Sequence, residues 1–228
     1  MAEDMRVKEA VKEYVNKKHI FQIFLNSVVD SFRFEPTLIE YSKPILHTIK
    51  SRLKDDSHLE KKLIRKYSIE SPITKDNIFE KITDLAGVRV LHLYQDQLPI
   101  IHEFIIKKVD TGDWSLHEDP IAYSWDPESQ KFFESLNLKV QIKESYYTSI
   151  HYVVTPPNDK SVKCEIQVRT LFEEIWGEID HTINYPEEST SQATKEQLRV
   201  LSKLVSTGTR LADSIFRLDK IDSKQSDP

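Results

Sequence analysis

Apolar residues recur every three or four positions through the first third of the chain. Val11, Tyr14, Val15, Ile20, Phe21, Phe24, Leu25, Val28 and Val29 predict an amphipathic helix, with Pro36 and Pro44 as boundaries beyond it. A second helical stretch is predicted from about Pro44 to about Tyr67. It carries the basic run Lys50, Arg52, Lys54, Lys61, Lys62, Arg65 and Lys66, which a solvated face with partners such as Glu60 would explain. From Asp84 the texture changes. The run from Val88 to Tyr94 is short, β-branched and apolar, as a buried strand requires. Pro99 to Val109 returns to helical spacing, and Thr111 to about Glu134 reads as an irregular insertion with one short helix. Three further strands are predicted at Leu138–Ser145, Ser149–Thr155 and Val162–Thr170, with Pro156-Pro157-Asn158-Asp159 turning between the last two. A helix over Leu171 to about Asn184, stopped by Pro186, precedes another from about Gln192 to Ile221 and a polar tail, SKQSDP. Helices, a strand, a helix, grouped strands and more helices favour one α+β domain with a mixed sheet over a regularly alternating parallel fold.

Composition narrows the function classes. In 228 residues, 39% hydrophobic and 30% charged content is that of an ordinary globular chain, and a net charge of −5 argues against a surface built to coat nucleic acid. A charged N-terminus and the lack of a long apolar run point to a cytoplasmic protein with no membrane partner. The single cysteine, Cys164, excludes an intrachain disulfide and a multi-cysteine zinc site. Four well-separated glycines, Gly87, Gly112, Gly177 and Gly208, cannot form a glycine-rich phosphate cradle, so phosphates would have to be met by side-chain cations.

Strand alternation sorts the remaining polar residues. Cys164, Ile166 and Val168 fall on one face, and Glu165, Gln167 and Arg169 on the other. In an extended chain Lys143, Ser145, Tyr147, Ser149 and His151 also share a side, a row of cation, hydroxyls, ring and imidazole suited to a nucleotide. Asp84 before its strand and Glu165 on another could hold Mg²⁺ between them, although an Asp in that place is commonly a turn residue. Trp176, with Phe172, Ile179 and Ile183, reads as core, and Asp180 stands one helical turn beyond Trp176.

In order along the chain stand Asp84-Leu-Ala-Gly-Val-Arg89-Val, Tyr147-Thr-Ser149-Ile-His151, Glu165-Ile-Gln167-Val-Arg169-Thr and Trp176-Gly-Glu-Ile-Asp180-His181, with Arg52-Leu-Lys54 and Lys62 upstream. This series resembles the synthetase domain of the RelA/SpoT-like alarmone synthetases in the small single-domain form. The resemblance covers roughly residues 45 to 186, with helical extensions completing one domain over 1–228. It implies a nucleotidyltransferase-like mixed sheet of about five strands flanked by helices, and transfer of pyrophosphate from ATP to the ribose 3′-hydroxyl of GDP or GTP, giving (p)ppGpp and AMP. By the same resemblance Arg52 and Arg89 would sandwich adenine, Lys54 and Lys62 would lie near the ATP phosphates, Asp84 would ligate Mg²⁺, and Glu165 would lie beside the 3′-hydroxyl as metal ligand, general base or both. Tyr147 would stack on the acceptor base, Lys143, Ser149 and His151 would meet its ribose or phosphates, and Gln167, Arg169 and Asp180 would belong to the acceptor side.

Tyr146-Tyr147-Thr148-Ser149 departs from the family's Gly-Tyr-Arg-Ser, removing a flexible joint and a phosphate-binding cation. Acceptor identity therefore stays open between GDP or GTP, an adenosine nucleotide and the 3′ end of tRNA. A catalytically inactive nucleotide-binding or interaction module on the same fold is the contrasting class. No His-Asp dipeptide occurs, so the hydrolase of bifunctional relatives is not expected. Control would then fall to expression, to self-association or to a neutralising protein partner.

Overall fold

The structure, a computed structural model, describes residues 2–39, 44–66, 71–185 and 189–225. The predicted stop at Pro186, the predicted helix end at Tyr67 and residues 226–228 of the tail lie outside them.

A long helix, α1 (Ala2–Arg33), and a short one, α2 (Pro36–Ile39), lead into strand β1 (Thr48–Leu53) and helix α3 (Asp56–Arg65). Then come α4 (Ile78–Lys81), β2 (Ala86–His92), a 3₁₀ turn (Gln95–Gln97) and α5 (Leu98–Asp110). Two strands, β3 (Ser115–Leu116) and β4 (Ile121–Ser124), precede α6 (Pro127–Ser135) and β5 (Lys139–Ile142). The chain closes with β6 (Ser149–Thr155), β7 (Cys164–Thr170), α7 (Leu171–Asn184) and α8 (Gln192–Gln225).

The strands form one mixed sheet in the order β1-β2-β7-β6-β4-β5, with β3 paired to β6. Among the described residues seven strands stand where about five were expected. The predicted helix from Pro44 is two elements, an edge strand and then α3. Lys50 and Arg52 are two apart on one face of β1, and their ordinary helix propensity conceals an exposed edge strand. The 111–134 insertion likewise holds β3 and β4 besides its helix.

One face of the sheet is dry. Ala86, Val88, Val90, Ile150, Tyr152, Val154, Cys164, Ile166 and Val168 are all buried and join Tyr14, Phe21, Leu25, Val28 and Phe32 of α1 and Ile101, Phe104 and Ile105 of α5 in the hydrophobic core. Cys164 is fully buried, and burial pushes its thiol well up, as expected of a packing residue. Helix α7 lies over the opposite face, starting from a capping box in which Thr170 and Glu173 each bond the other's backbone N–H. Only Trp176 of its predicted apolar set is buried, its indole N–H donating to Leu198 O at 3.1 Å; Phe172, Ile179 and Ile183 are exposed. That correction follows from α7 resting on charged side chains rather than on the dry face.

Candidate active site

Register brings the chemistry to the polar face. In the antiparallel β1–β2 pair Arg52 lies opposite Gly87 and Lys50 opposite Arg89; in the parallel β2–β7 pair Gly87 lies beside Glu165 and Arg89 beside Gln167. His151 of β6 then pairs with Gln167, and Tyr123 of β4 with Ser149. Gly87 contributes no side chain, which leaves a gap between the Arg52 and Glu165 rows.

Asp84 arrives at the end of this face from the chain before β2. Two buried groups fix that approach. Lys163 Nζ, 2% exposed, donates to Phe79 O (2.6 Å) and Glu80 O (2.9 Å), tying the end of α4 to the start of β7. The Tyr14 hydroxyl, reaching from α1, donates to Lys54 O (3.0 Å) and Leu85 O (3.3 Å), the carbonyls that flank the departure of β1 and the entry of β2.

Three recesses meet at this corner. A basic recess of about 590 Å³ is lined by Arg52, Lys54, His58, Lys61, Lys62, Arg65, Asp84, His181 and Tyr185, with Leu53 and Asp55 completing it. A floor pocket of about 170 Å³ lies over the strands, among Lys50, Ser51, Arg52, Asp84, Gly87, Val88, Arg89, Glu165 and Gln167. An aromatic recess of about 410 Å³ holds Tyr123, Lys143, Ser145, Tyr147, His151 and Glu165 together with Lys62, Lys66, Thr83 and Asp84. Asp84 lines all three and Glu165 two of them. The combined space is of the order that small-molecule and cofactor sites occupy.

Charge decides what the two carboxylates can do. Asp84 accepts from Lys54 Nζ at 2.5 Å and Lys62 Nζ at 2.6 Å. Burial pushes its carboxyl up, but the two ammoniums outweigh burial and hold it at about 2. Glu165 accepts from Gln167 Nε2 at 2.6 Å, and its other oxygen lies 3.4 Å from His151 Nδ1. Burial and the Asp84 charge push Glu165 up; the His151 contact and the Gln167 amide outweigh both and leave it below its ordinary value. Both groups are therefore carboxylates at neutral pH, suited to a cation or to accepting a proton.

The aromatic recess is organised around rings. Tyr147 Oη lies 3.0 Å from His151 Nε2, Tyr123 meets the His151 ring edge-on at 4.8 Å, and Lys143 Nζ stands 4.5 Å from the Tyr123 ring centre. Burial raises the Tyr147 hydroxyl, so it stays a neutral donor.

Of the residues predicted from sequence, Arg52, Lys54, Lys62, Asp84, Arg89, Lys143, Tyr147, His151, Glu165 and Gln167 line these recesses. Three do not. Ser149 is fully buried, its hydroxyl 3.4 Å from Val168 O; it shares the face of His151 but lies beneath it. Arg169 is 3% exposed, paired with Glu174 at 2.6 Å and lying 5.6 Å from the Tyr147 ring centre, so it buttresses that ring from behind. Gly177 allows this, since a Cβ there would fall 2.8 Å from Arg169 Nη1. Asp180 accepts from Asn184 Nδ2 at 2.8 Å along α7 and borders none of the three recesses.

Sequence reasoning missed Lys50, His58, Lys61, Arg65, Tyr123, Glu174, Glu178, His181 and Tyr185 as parts of the site. Glu174 binds Lys50 (2.9 Å) and Arg89 (3.2 Å), and Glu178 also binds Arg89, so α7 holds the strand cations down with carboxylates. The available signal was the helical spacing of His58, Lys61, Lys62 and Arg65, which places the cations on one side of α3.

Among the described residues no group of three or more His, Cys, Asp or Glu is arranged to hold a metal alone. Two carboxylates bordering one recess nonetheless match the donor set of a hard divalent cation that completes its shell with water and phosphate oxygens.

The chain matches the region found in RelA / SpoT proteins over residues 51–190. Among curated relatives it is similar to the GTP pyrophosphokinase YwaC of Bacillus subtilis (27% identical over 187 residues, 78% of each chain) and to the GTP pyrophosphokinase YjbM of the same organism (31% over 111 residues, 46% of this chain and 44% of that one). Among solved structures it resembles the small alarmone synthetase 1 of Bacillus subtilis bound to its product pppGpp (TM-score 0.67, 23% identity, 93% of this chain and 99% of that one). A GTP pyrophosphokinase family protein from Streptococcus pneumoniae shares the fold as well (TM-score 0.65, 19% identity, 97% and 98% covered). Among the described residues no helix is long and apolar enough to cross a membrane. The matched region spans more than half of the chain, and the chain belongs to the RelA/SpoT family.

Proposed function

We propose that this protein transfers pyrophosphate from ATP to the ribose 3′-hydroxyl of GDP or GTP, releasing AMP, and that the described chain acts as one synthetase unit. One observation carries this: Asp84 lines both a cation-rich recess and a ring-lined recess and shares the second with Glu165, both groups being ionised. The basic recess suits the triphosphate donor. Lys54 and Lys62 already hold one carboxylate and can turn to phosphate oxygens, while Arg52 and the His181–Tyr185 stack (4.5 Å) offer flat surfaces to a base. The aromatic recess suits the acceptor nucleoside, with Tyr147 presenting a ring held from behind by Arg169 and Lys143 presenting a cation at the rim.

Asp84 and Glu165 would hold Mg²⁺, which supplies charge neutralisation on the transferred group when bound. Glu165 would also take the 3′-hydroxyl proton, a role supported by its contacts with His151 and Gln167, which keep it ionised. The remaining catalytic contribution is alignment of donor and acceptor across the corner, the main requirement of phosphoryl transfer.

Purified protein incubated with ATP labelled at its terminal phosphate, Mg²⁺ and, separately, GDP, GTP, AMP and bulk tRNA tests this. Equal amounts of AMP and a 3′-pyrophosphorylated guanosine nucleotide are expected. Label confined to tRNA or to the adenosine acceptor would overturn the guanosine assignment, and ATP binding without AMP release would favour an inactive module.

A further inference from the structure

Two consecutive tyrosines face opposite sides of the loop that enters β6. Tyr147 lines the aromatic recess with Asp84 and Glu165. Tyr146 instead meets the Trp125 ring edge-on at 5.4 Å and borders a small cavity with Trp176 of α7 and Val205 and Thr209 of α8. Its backbone is unusual: φ is +62°, the left-handed region where a side chain clashes with its own carbonyl and where glycine is the ordinary occupant. The N–H of Tyr146 donates to Lys143 O at 3.3 Å, closing a turn, so Tyr146 joins directly to both Lys143 and Tyr147.

A bulky residue keeps a left-handed conformation only where its surroundings over-determine it. Here the seat is built from three sides. Trp125 supplies the ring contact, and α7 and α8 close the notch. Beside it, Arg210 of α8 binds Asp126 at 3.0 Å, Asp126 N donates to Ser124 Oγ at 3.2 Å, and Ser124 Oγ lies 3.3 Å from Thr148 Oγ1.

We propose that Tyr146 is a positioning residue for the acceptor nucleotide: its ring pegs the 143–148 loop into the notch under α8 and so fixes where Tyr147 and Lys143 present themselves. The inference rests on the acceptor lying in the aromatic recess, as proposed above. Glycine at 146 would accept the backbone angle but lose the peg. Alanine would lose the peg and keep the steric conflict, and phenylalanine would keep both ring and seat.

The full-length Tyr146→Gly, Tyr146→Ala, Tyr146→Phe and Trp125→Ala proteins separate these effects in two measurements. In amide hydrogen exchange, residues 143–148 are expected to open roughly tenfold more readily in the Gly, Ala and Trp125 variants, with the rest of the sheet and the Phe variant unchanged. In steady-state assays the acceptor KM should rise roughly tenfold in the same three variants, while the ATP KM holds and Phe restores the wild-type value. Unchanged exchange in Tyr146→Gly, or equal loss in both KM values, would overturn the peg. If wild-type protein transferred nothing to GDP or GTP, the functional assignment would fall, while the exchange result would still decide whether Tyr146 anchors the loop.

Discussion

The two recesses flanking Asp84 are built on opposite plans. The basic one rests largely on regular elements: its cations come from β1, from Lys54 directly after it and from α3, and its rear wall from the end of α7. The aromatic one takes Tyr123, His151 and Glu165 from strands, but its stacking ring and its cation, Tyr147 and Lys143, are carried by the loop of residues 143–148. Charge recognises phosphates without exact placement, whereas a ring must lie parallel to the base it stacks on. The contrast teaches that precision in the loop-borne half has to come from packing behind it. Arg169 behind Tyr147 and the Trp125 seat of Tyr146 provide that packing.

The largest effect should come from the corner common to both halves. Glu165→Gln is expected to lower kcat by about 10²–10⁴-fold with the unfolding midpoint little changed, because Gln retains size and hydrogen bonding but cannot accept the proton. Near-normal turnover would remove Glu165 from the chemistry.

The halves should then separate. Tyr147→Ala is expected to raise the acceptor KM by roughly 10–100-fold, the equivalent of about 1–3 kcal/mol of base stacking, and to leave the ATP KM alone. Arg52→Ala, which borders the basic recess and the floor pocket but not the aromatic recess, should do the reverse. If both variants moved both constants together, the division into two recesses would be wrong.

A third test uses pH. Asp84 is held at about 2, below its ordinary 3.8, so its ion pairs contribute stability that is present above pH 4 and lost as pH falls from about 4 to 2. The loss attributable to this group is about 2 kcal/mol. Asp84→Asn should remove that component from denaturation curves measured across the interval. Identical pH slopes in the two proteins would contradict the paired-lysine account. The smallest effect is expected from Tyr14→Phe, which withdraws a hydroxyl from the Lys54 and Leu85 carbonyls. A loss of about 1 kcal/mol in stability, with a modest fall in kcat and no change in the acceptor KM, is expected by denaturation and kinetics.

Sequence carried more of the fold's centre than of its edges. The bounds of β6 and α7 were legible because β6 is a short apolar run stopped by Pro156-Pro157 and α7 follows directly on the next strand with helical spacing. Edge strand β1 was not, since its apolar side offers only the half-buried Ile49 and Leu53 and its polar side carries the good helix formers Lys50 and Arg52. Strand β4 was hidden between Pro120 and Pro127. In the site, alternation placed Ser149 and Arg169 on the correct face of their strands, but depth on a face is set by what packs over it. Gly177 and Glu174 of α7 cover Arg169, and that is tertiary information. The convergence of Asp84 with Glu165 likewise depends on the parallel pairing of β2 with β7, between strands far apart in the chain.

In the proposed reaction two nucleotides occupy the two recesses at once. Binding of GDP to the Glu165→Gln protein, measured by calorimetry with and without saturating α,β-methylene ATP and Mg²⁺, tests this most directly. One GDP per chain bound equally well or more tightly in the presence of the ATP analogue is expected. Mutual exclusion of the two nucleotides would contradict the two-recess site.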